Sequence, residues 1–195
     1  ADVKPDIKEL KIVSVGNDVS AQIAAIDSLI AAGFDGIAVN AVNPTSFGPV
    51  LKRAARAGVA LVPFDNVLDS TDIVQVVESQ IDLGTIKATE VVGRIGDKPN
   101  PKIIEVRGLP GNSVDRDNHD GMRAVLDKVP GVEVIEIVGN WDTGTVQKVV
   151  ADAVATHGQV DGIVCQHGCA GAIRALQMHA CRPEHRARRR GWIRS

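Results

Sequence analysis

The chain has little aromatic character, few cysteines and no long apolar segment. Aromatic residues make up 3% of its 195 residues and tyrosine is absent, so the position of each tryptophan is informative. Three cysteines are too few for a disulfide framework. No apolar run reaches the roughly 18 residues that a membrane-spanning helix needs, which predicts no direct insertion into a membrane. The net charge of −2 argues against a general nucleic-acid-binding protein.

Charge is distributed unevenly along the chain. The segment from Met178 to Ser195 contains six arginines and one glutamate, so the rest of the chain is acidic. This segment has almost no apolar periodicity and much like charge, which predicts a basic, aberrant tail that is disordered. Its run "HRARRR" is also compatible with nucleic-acid binding, which is the less favoured alternative to a solvated tail.

Short apolar runs alternate with amphipathic segments along residues 11–177. Strands are predicted at KIVSV (11–15), GIAVN (36–40), VALVPFDN (59–66), IVQVVE (73–78), KIIEVRG (102–108), VEVIEIVG (132–139) and VDGIVCQ (160–166). Helices are predicted between them, at residues 20–33, 46–58, 84–93, 113–131 and 143–158, and from residue 171 onward. Ser20 is the expected cap of the first helix and Gly33 its stop.

This alternation predicts an α/β fold in which helices cover parallel sheets. In such folds ligands lie at the carboxyl ends of the strands. The predicted strand ends are polar or small throughout: Asn40, Asp65-Asn66, Arg107-Gly108, Asn140-Trp141 and Gln166-His167. Hydrogen-bonding side chains therefore accumulate where a ligand is expected.

Five stretches carry a resemblance to a known family: QIAAIDSLIAAGFDGIAVNAVNP, AARAGVALVPFDN, GLPGNSVDRDNHDGM, GNWDTGTVQKVVADAVATH and DGIVCQHGCAGAIRAL. In this order and at these spacings they resemble the type I periplasmic sugar-binding proteins, the ribose-binding-protein-like components of ABC transporters. The resemblance implies two Rossmann-like lobes with parallel sheets that close on a sugar. It also implies that the chain is incomplete at both ends. The expected parts are a partial N-terminal lobe at 1–80 without its first strand, a partial C-terminal lobe at 81–177, and the tail at 178–195.

The resemblance implies three ligand-binding residues in the first lobe. Asn40 matches a position that hydrogen-bonds sugar hydroxyls, and Asp65 matches a carboxylate that takes two hydroxyls. Asn66 stands where many relatives have arginine, so that contact is altered. Amide and carboxylate groups suit this role because a hydroxyl donates and accepts hydrogen bonds at once.

Three further ligand-binding residues are implied in the second lobe. Arg116 matches an arginine that donates to the sugar, and Trp141 matches an aromatic that stacks on the sugar ring. His167 stands where relatives often have asparagine. The alternatives are a surface charge at Arg116, a core position for Trp141 and a structural His167.

The resemblance implies a protein that is not an enzyme and carries no cofactor. The expected function is to bind a monosaccharide or polyol in the periplasm and deliver it to an ABC transporter permease. One alternative is the effector-binding domain of a lactose-repressor-like regulator. Another is an α/β enzyme of sugar metabolism, with Asp65 as its carboxylate.

Cysteine and histidine are crowded into one stretch, which raises the alternative of a metal site. Cys165, His167 and Cys169 alternate with other residues, and His179, Cys181 and His185 follow. The paired spacing of a zinc site is not met, so we predict no bound metal. The turn "GLPGNS" raises a second alternative, a phosphate cradle with Ser113 as helix cap, but it lacks the ending of a P-loop.

Overall fold

A computed structural model describes residues 6–181 of the chain. The chain divides into two compact units, Ala1–Val77 and Glu78–Ser195. Each unit consists of parallel strands and helices, so the predicted α/β class with parallel sheets is confirmed. Among residues 6–181, no helix has the length and apolar character that crossing a membrane requires.

Within residues 6–77, the first unit contains two strands and two helices in alternation. In chain order they are α1 (Val19–Ala31), β1 (Gly36–Val39), α2 (Gly48–Arg56) and β2 (Ala60–Pro63). The two strands are parallel, and Gly36 pairs with Ala60 and Val39 with Pro63. Both helices pack their apolar side chains on this pair of strands around a core of Ile26, Ile37, Val39, Ala41, Phe47, Val50, Ala54, Val59, Leu61 and Leu68.

Two predicted strands of the first unit are wrong. Residues 11–15 form no strand in the structure, and Ile12 is 87% exposed. Residues 73–78 also form no strand and make one isolated bridge, between Phe64 and Val76. Both segments are rich in β-branched residues, but that preference gives a strand only where a neighbour completes the hydrogen bonds.

The expected cap of α1 is also wrong. Asp18, and not Ser20, precedes the helix in an extended conformation, and its carboxylate accepts a hydrogen bond from the Ala21 amide at 2.6 Å. Gly33 follows the helix with φ +78°, a left-handed conformation that glycine adopts without strain. The cap of the helix therefore lies two residues earlier than predicted, and Gly33 follows the end of the helix as expected.

The described part of the second unit, residues 78–181, has a three-stranded parallel sheet with helices on both faces. Its elements are α3 (Gln80–Ile95), β3 (Lys102–Arg107), α4 (Ser113–Leu126), β4 (Glu133–Val138), α5 (Thr143–His157), β5 (Gly162–Cys165) and α6 (Cys169–Cys181). The strand order is β4-β3-β5, so β3 lies at the centre of the sheet. The predicted start of a tail at Met178 falls within α6, and residues 182–195 lie outside the described residues.

Alternation along β3 divides the core of the second unit between the two faces of the sheet. Ile104 and Val106 pack against α5 and α6, whereas Ile103 packs with side chains of α3 and α4. All three side chains are fully buried. Glu105 lies two positions after Ile103 on β3, so its side chain points to the same face of the sheet. Its carboxylate therefore lies on the apolar face under α4.

Helices α3 and α4 touch each other through glycine. A Cβ added to Gly84 would lie 2.2 Å from the Asn118 carbonyl oxygen, and one added to Gly121 would lie 2.1 Å from the Ile81 carbonyl oxygen. Both distances are shorter than any real contact of a Cβ atom. The two backbones therefore approach so closely that no side chain fits between them.

We predict that Gly84→Ala lowers the free energy of unfolding by about 1–3 kcal/mol, because the methyl group forces the helices apart. Gly93→Ala is the matched control on the same helix, since a Cβ there meets no atom of residues 6–181 within 4 Å. The control is expected to raise stability by roughly 0.5–1 kcal/mol through its better helix propensity. Urea denaturation measures both variants, and equal effects would contradict the close approach.

Candidate functional site

Polar side chains at the ends of β1 and β2 form one network. The Asn40 side-chain amide donates to the Asp65 carboxylate at 3.2 Å. The Asn66 side-chain amide donates to the Asn40 side-chain oxygen at 2.5 Å and to the Ala41 carbonyl at 2.6 Å. Asn40 and Asp65 are exposed, while Asn66 is buried. The parallel strands thus bring the three predicted residues of the first unit together, with Asn66 beneath the other two.

The position of Asn66 suits it for holding Asn40 in place, since its amide nitrogen is used within the protein. Asp65 has φ +63°, a left-handed backbone conformation that aspartate tolerates better than most residues. This conformation turns the chain sharply after β2 and leaves the carboxylate exposed. The pair Asn40 and Asp65 therefore presents an amide and a carboxylate side by side to solvent.

Gln22 supports this network, although no pattern in the sequence indicated such a role. Its side-chain amide donates to the Asn40 carbonyl at 2.7 Å, and its side-chain oxygen accepts from the Val42 amide at 3.0 Å. Gln22 thereby ties α1 to the loop that follows β1. A single glutamine within an apolar helix was the sequence signal for this role. It did not indicate that Asn40 and Val42 are its hydrogen-bond partners.

The ends of β3 and β5 meet around the buried carboxylate of Asp115. This carboxylate accepts from the Arg107 guanidinium at 2.7 Å, from the Gly108 amide at 2.8 Å and from the Gln166 side-chain amide at 2.9 Å. Its side chain is 1% exposed. Three donors compensate for the loss of water around the charge, as a buried carboxylate requires. We call Arg107, Asp115 and Gln166, together with Trp141, the Asp115 network.

Trp141 joins the Asp115 network through its ring nitrogen. The indole N–H donates to the Gln166 side-chain oxygen at 3.2 Å. The ring also covers Gly108, where an added Cβ would lie 2.1 Å from the indole nitrogen. Asn140 and Trp141 both have left-handed backbone conformations, with φ +51° and +57°. This turn after β4 brings the half-buried ring back over the end of β3.

The other two predicted residues of the second unit are not members of the Asp115 network. The Arg116 guanidinium is exposed and forms an ion pair with Asp117 at 2.7 Å. His167 is exposed and lines a depression together with Lys87 and Cys169. The sequence predicted a site role for Arg116 and none for its neighbour Asp115. Consecutive helix positions point in directions about 100° apart, so Asp115 is buried at the strand ends while Arg116 is exposed. A carboxylate in the first helical turn after a polar strand end was the signal for it.

The residue that caps α4 differs from the predicted one. Asn112 caps the helix, because its side-chain oxygen accepts from the Val114 amide at 2.8 Å. Ser113, the predicted cap, is the first helical residue and is buried. The physical reason is that a cap must have an extended backbone just before the helix, which Asn112 has with ψ 144°.

One group of three side chains among residues 6–181 has ligand atoms close enough to hold a metal ion: Glu105, His119 and Glu136. Glu105 and Glu136 are register partners on β3 and β4, and His119 of α4 lies 2.7 Å from Glu105 through its Nδ1 atom. Two guanidinium groups, those of Arg107 and Arg123, lie 3.6 Å from Glu136. A metal ion there would compete with these two guanidinium groups for the Glu136 carboxylate.

The Cys and His stretch of the sequence is not such a group within the described residues. Cys165 is buried, Cys169 and Cys181 are exposed, and His185 lies outside the described residues. The absence of zinc therefore stays a prediction, to be checked by elemental analysis of the purified protein.

The two α/β units with parallel strands have the fold of the type I periplasmic binding proteins. Residues 4–183 match the family described as periplasmic binding protein domain, and the chain belongs to this family. The resemblance noted in the sequence is thereby confirmed.

Individual relatives agree with this assignment. A xylitol-binding protein of Mycolicibacterium smegmatis is 30% identical over 174 residues, which are 87% of this chain and 49% of that protein. A galactofuranose-binding protein of Escherichia coli is 28% identical over 65% of this chain and 41% of its own. An ABC transporter solute binding protein from Thermobispora bispora aligns with a TM-score of 0.79 and 27% identity, covering 86% of this chain and 52% of that one. The chain thus spans about half the length of these relatives.

We predict that Asp115→Ala lowers the free energy of unfolding by about 3 kcal/mol, because it leaves a partly buried guanidinium and two further donors without their acceptor. Asp117→Ala is the matched control two positions along α4. It removes an exposed ion pair and is expected to cost less than about 1 kcal/mol. Urea denaturation followed by circular dichroism measures both. A cost for Asp117→Ala equal to that for Asp115→Ala would contradict the organising role of Asp115.

Glu105 gives a prediction about pH. Burial raises the pKa of its carboxyl, and the hydrogen bond and charge of His119 oppose this rise. One of its carboxylate oxygens is buried without a hydrogen-bond partner in the structure. Because the folded-state pKa lies above the unfolded value, the stability contributed by Glu105 is full below the unfolded pKa and is lost as pH rises through the folded one.

We therefore expect the free energy of unfolding of the wild type, relative to that of Glu105→Gln, to fall with rising pH. The fall should occur between the unfolded-state and the folded-state pKa of Glu105. Denaturation series between about pH 4 and about pH 8 test this difference. Glu90→Gln, at an exposed position of α3, is the control and should show no comparable trend. A stability difference between the wild type and Glu105→Gln that stays flat or rises with pH would refute the raised pKa.

Proposed function

We propose that this chain binds a monosaccharide or polyol as part of the solute-binding component of an ABC transporter. Membership of the periplasmic binding protein domain family supports the class of function. The names of the xylitol-binding and galactofuranose-binding relatives support the class of ligand. We propose the periplasm as its location and a membrane permease as its partner, since both follow from the same class.

The observation that carries the proposal is the exposed pair of Asn40 and Asp65 above the buried Asn66. A sugar hydroxyl can donate to the Asp65 carboxylate and accept from the Asn40 amide, which lie 3.2 Å apart. Asn66 and Gln22 hold Asn40 from below, so little side-chain freedom is lost when a ligand binds. A pre-ordered acceptor and donor side by side suit a ligand that carries adjacent hydroxyl groups.

In the second unit we propose that Trp141 covers an apolar face of the sugar ring. The bond to Gln166 and the contact with Gly108 fix its orientation, as stacking on a ring requires. Arg116 and His167 remain proposed ligand contacts on the strength of the family resemblance. We propose Asn66 as a positioning residue that acts through Asn40.

A binding function is favoured over catalysis because the relatives are named for what they bind. The side chains that surround Asp65 in its network are the amides of Asn40 and Asn66, which are neither nucleophiles nor acids. Titration of the chain with a panel of pentoses, hexoses and polyols, followed by chromatography for products, separates the two functions. Saturable binding with unchanged ligand supports the proposal, and conversion of the ligand would contradict it.

We predict that Asp65→Asn weakens binding of the best ligand about tenfold, because an ionised acceptor makes a stronger hydrogen bond than a neutral amide. Asparagine tolerates the left-handed conformation at this position, so the backbone should be kept. Asp69→Asn, at an exposed position of the same unit, is the matched control and should leave affinity unchanged. Calorimetric titration measures both variants, and equal affinities would remove Asp65 from the site.

A further inference from the structure

Two cysteines of the second unit lie at one junction between a strand and a helix. Cys165 is the last residue of β5, and Cys169 is the first residue of α6. Both residues line the same open depression of the second unit. Cys165 is buried and Cys169 is exposed. The fold thus makes an unequal pair of thiols from residues four positions apart.

A lysine is held next to this pair. The Lys87 ammonium group of α3 donates to the Asn118 side-chain oxygen and to the Gln166 carbonyl, both at 3.1 Å. The Gln166 carbonyl belongs to the loop between the two cysteines, so the positive charge is fixed there. The first turn of α6 adds backbone N–H groups, which favour a negative charge on its first residue.

These groups act on the two thiols in opposite directions. The hydrogen bond from Cys165 lowers the pKa of the Cys169 thiol, as do the Lys87 charge, a backbone N–H and His167, against the opposing effect of burial. The same hydrogen bond, together with burial, raises the pKa of the Cys165 thiol. The exposed sulfur therefore has the character of a nucleophile, and the buried one keeps its proton.

The nucleophile is accessible to small molecules. Lys87, Cys165, His167 and Cys169 line an open depression of about 580 Å³ on the second unit. This volume is ample for a tripeptide disulfide to bring one sulfur against Cys169. Burial of Cys165 behind it leaves Cys169 as the first thiol that such a molecule meets.

We propose that Cys169 and Cys165 form a reversible dithiol–disulfide pair, in which Cys169 is the attacking thiol and Cys165 the resolving thiol. The Cys169 thiolate attacks one sulfur of a small disulfide, forms a mixed disulfide and expels one thiolate. The Cys165 thiol passes its proton to the departing thiolate, attacks the Cys169 sulfur and expels the second thiolate, which takes a proton from water. Two protein thiols are oxidised to one disulfide, and the small disulfide is reduced to two thiols.

The pair borders the Asp115 network. Gln166 follows Cys165 directly, and its side chain bonds to both Trp141 and Asp115. A bond between Cys165 and Cys169 would close a small ring around Gln166 and restrict this loop. The chemistry of the two thiols does not require a bound sugar.

The test uses the full chain, first reduced and then treated with oxidised glutathione. Remaining thiols are blocked with iodoacetamide in denaturant before digestion with trypsin. Cleavage after Lys148 and Arg174 gives one peptide, 149–174, that contains both cysteines and excludes Cys181. We expect this peptide to lose the mass of two hydrogens, and to regain them after treatment with dithiothreitol.

Variants assign the two roles. Cys165→Ser should trap one glutathione on Cys169, whereas Cys169→Ser should leave Cys165 unmodified in the folded protein. Cys181→Ser is the matched control, because it removes an exposed thiol of the same helix, α6. This variant should form the disulfide between Cys165 and Cys169 as the wild type does. Lys87→Gln should slow alkylation of Cys169 several-fold and leave that of Cys181 unchanged.

Three results would overturn the proposal. They are a peptide 149–174 that keeps both hydrogens, a disulfide that involves Cys181, and glutathione on Cys165 in the Cys169→Ser variant. Circular dichroism of each variant, compared with the wild type, establishes that the fold is kept. If Lys87→Gln does not fold, Lys87→Arg takes its place. Arginine keeps the positive charge, so Cys169 should be alkylated as fast as in the wild type.

Discussion

Parallel pairing of the strands is the constraint on which the rest of the structure depends. Because paired parallel strands run in the same direction, their carboxyl ends lie on one edge of each sheet. In the first unit this brings Asn40 and Asp65 within hydrogen-bonding distance across 25 residues of sequence. In the second unit it brings together the residues after β3, β4 and β5, which include Gly108, Trp141 and Gln166. The polar side chains of the candidate site lie at these edges, and the helices supply the apolar layers that bury the sheets.

Two buried carboxylates of the second unit show how differently the same chemical group can be accommodated. Asp115 has three donors around it and organises the end of the sheet. Glu105 has His119 on one oxygen and, among residues 6–181, no hydrogen-bond partner on the other. The three donors compensate for the burial of Asp115, whereas burial raises the pKa of the Glu105 carboxyl. The strand end therefore has a fixed geometry, while the region under α4 is sensitive to protonation.

The stretch from Cys165 to Cys169 belongs to both the candidate binding site and the proposed thiol pair. Gln166 bonds to Trp141 through its side chain and to Lys87 through its carbonyl. The loop that orients the aromatic ring is therefore the loop that separates the two cysteines. A change in the oxidation state of the thiols would act on the same few residues that we propose to contact a sugar.

The amino-acid sequence by itself determined the α/β class, the positions of most helices and strands, and the family to which the chain belongs. Local periodicity and glycine stops carry that information, because they depend on neighbouring residues. The tertiary structure decided which apolar segments are strands: residues 11–15 have no paired strand in the described part of the chain, although their composition favours a strand. It also decided that Asp115 and Gln166 lie around Trp141, and that Lys87 lies beside two cysteines. Those contacts join residues 25 to 79 positions apart, and no local pattern in the sequence specifies them.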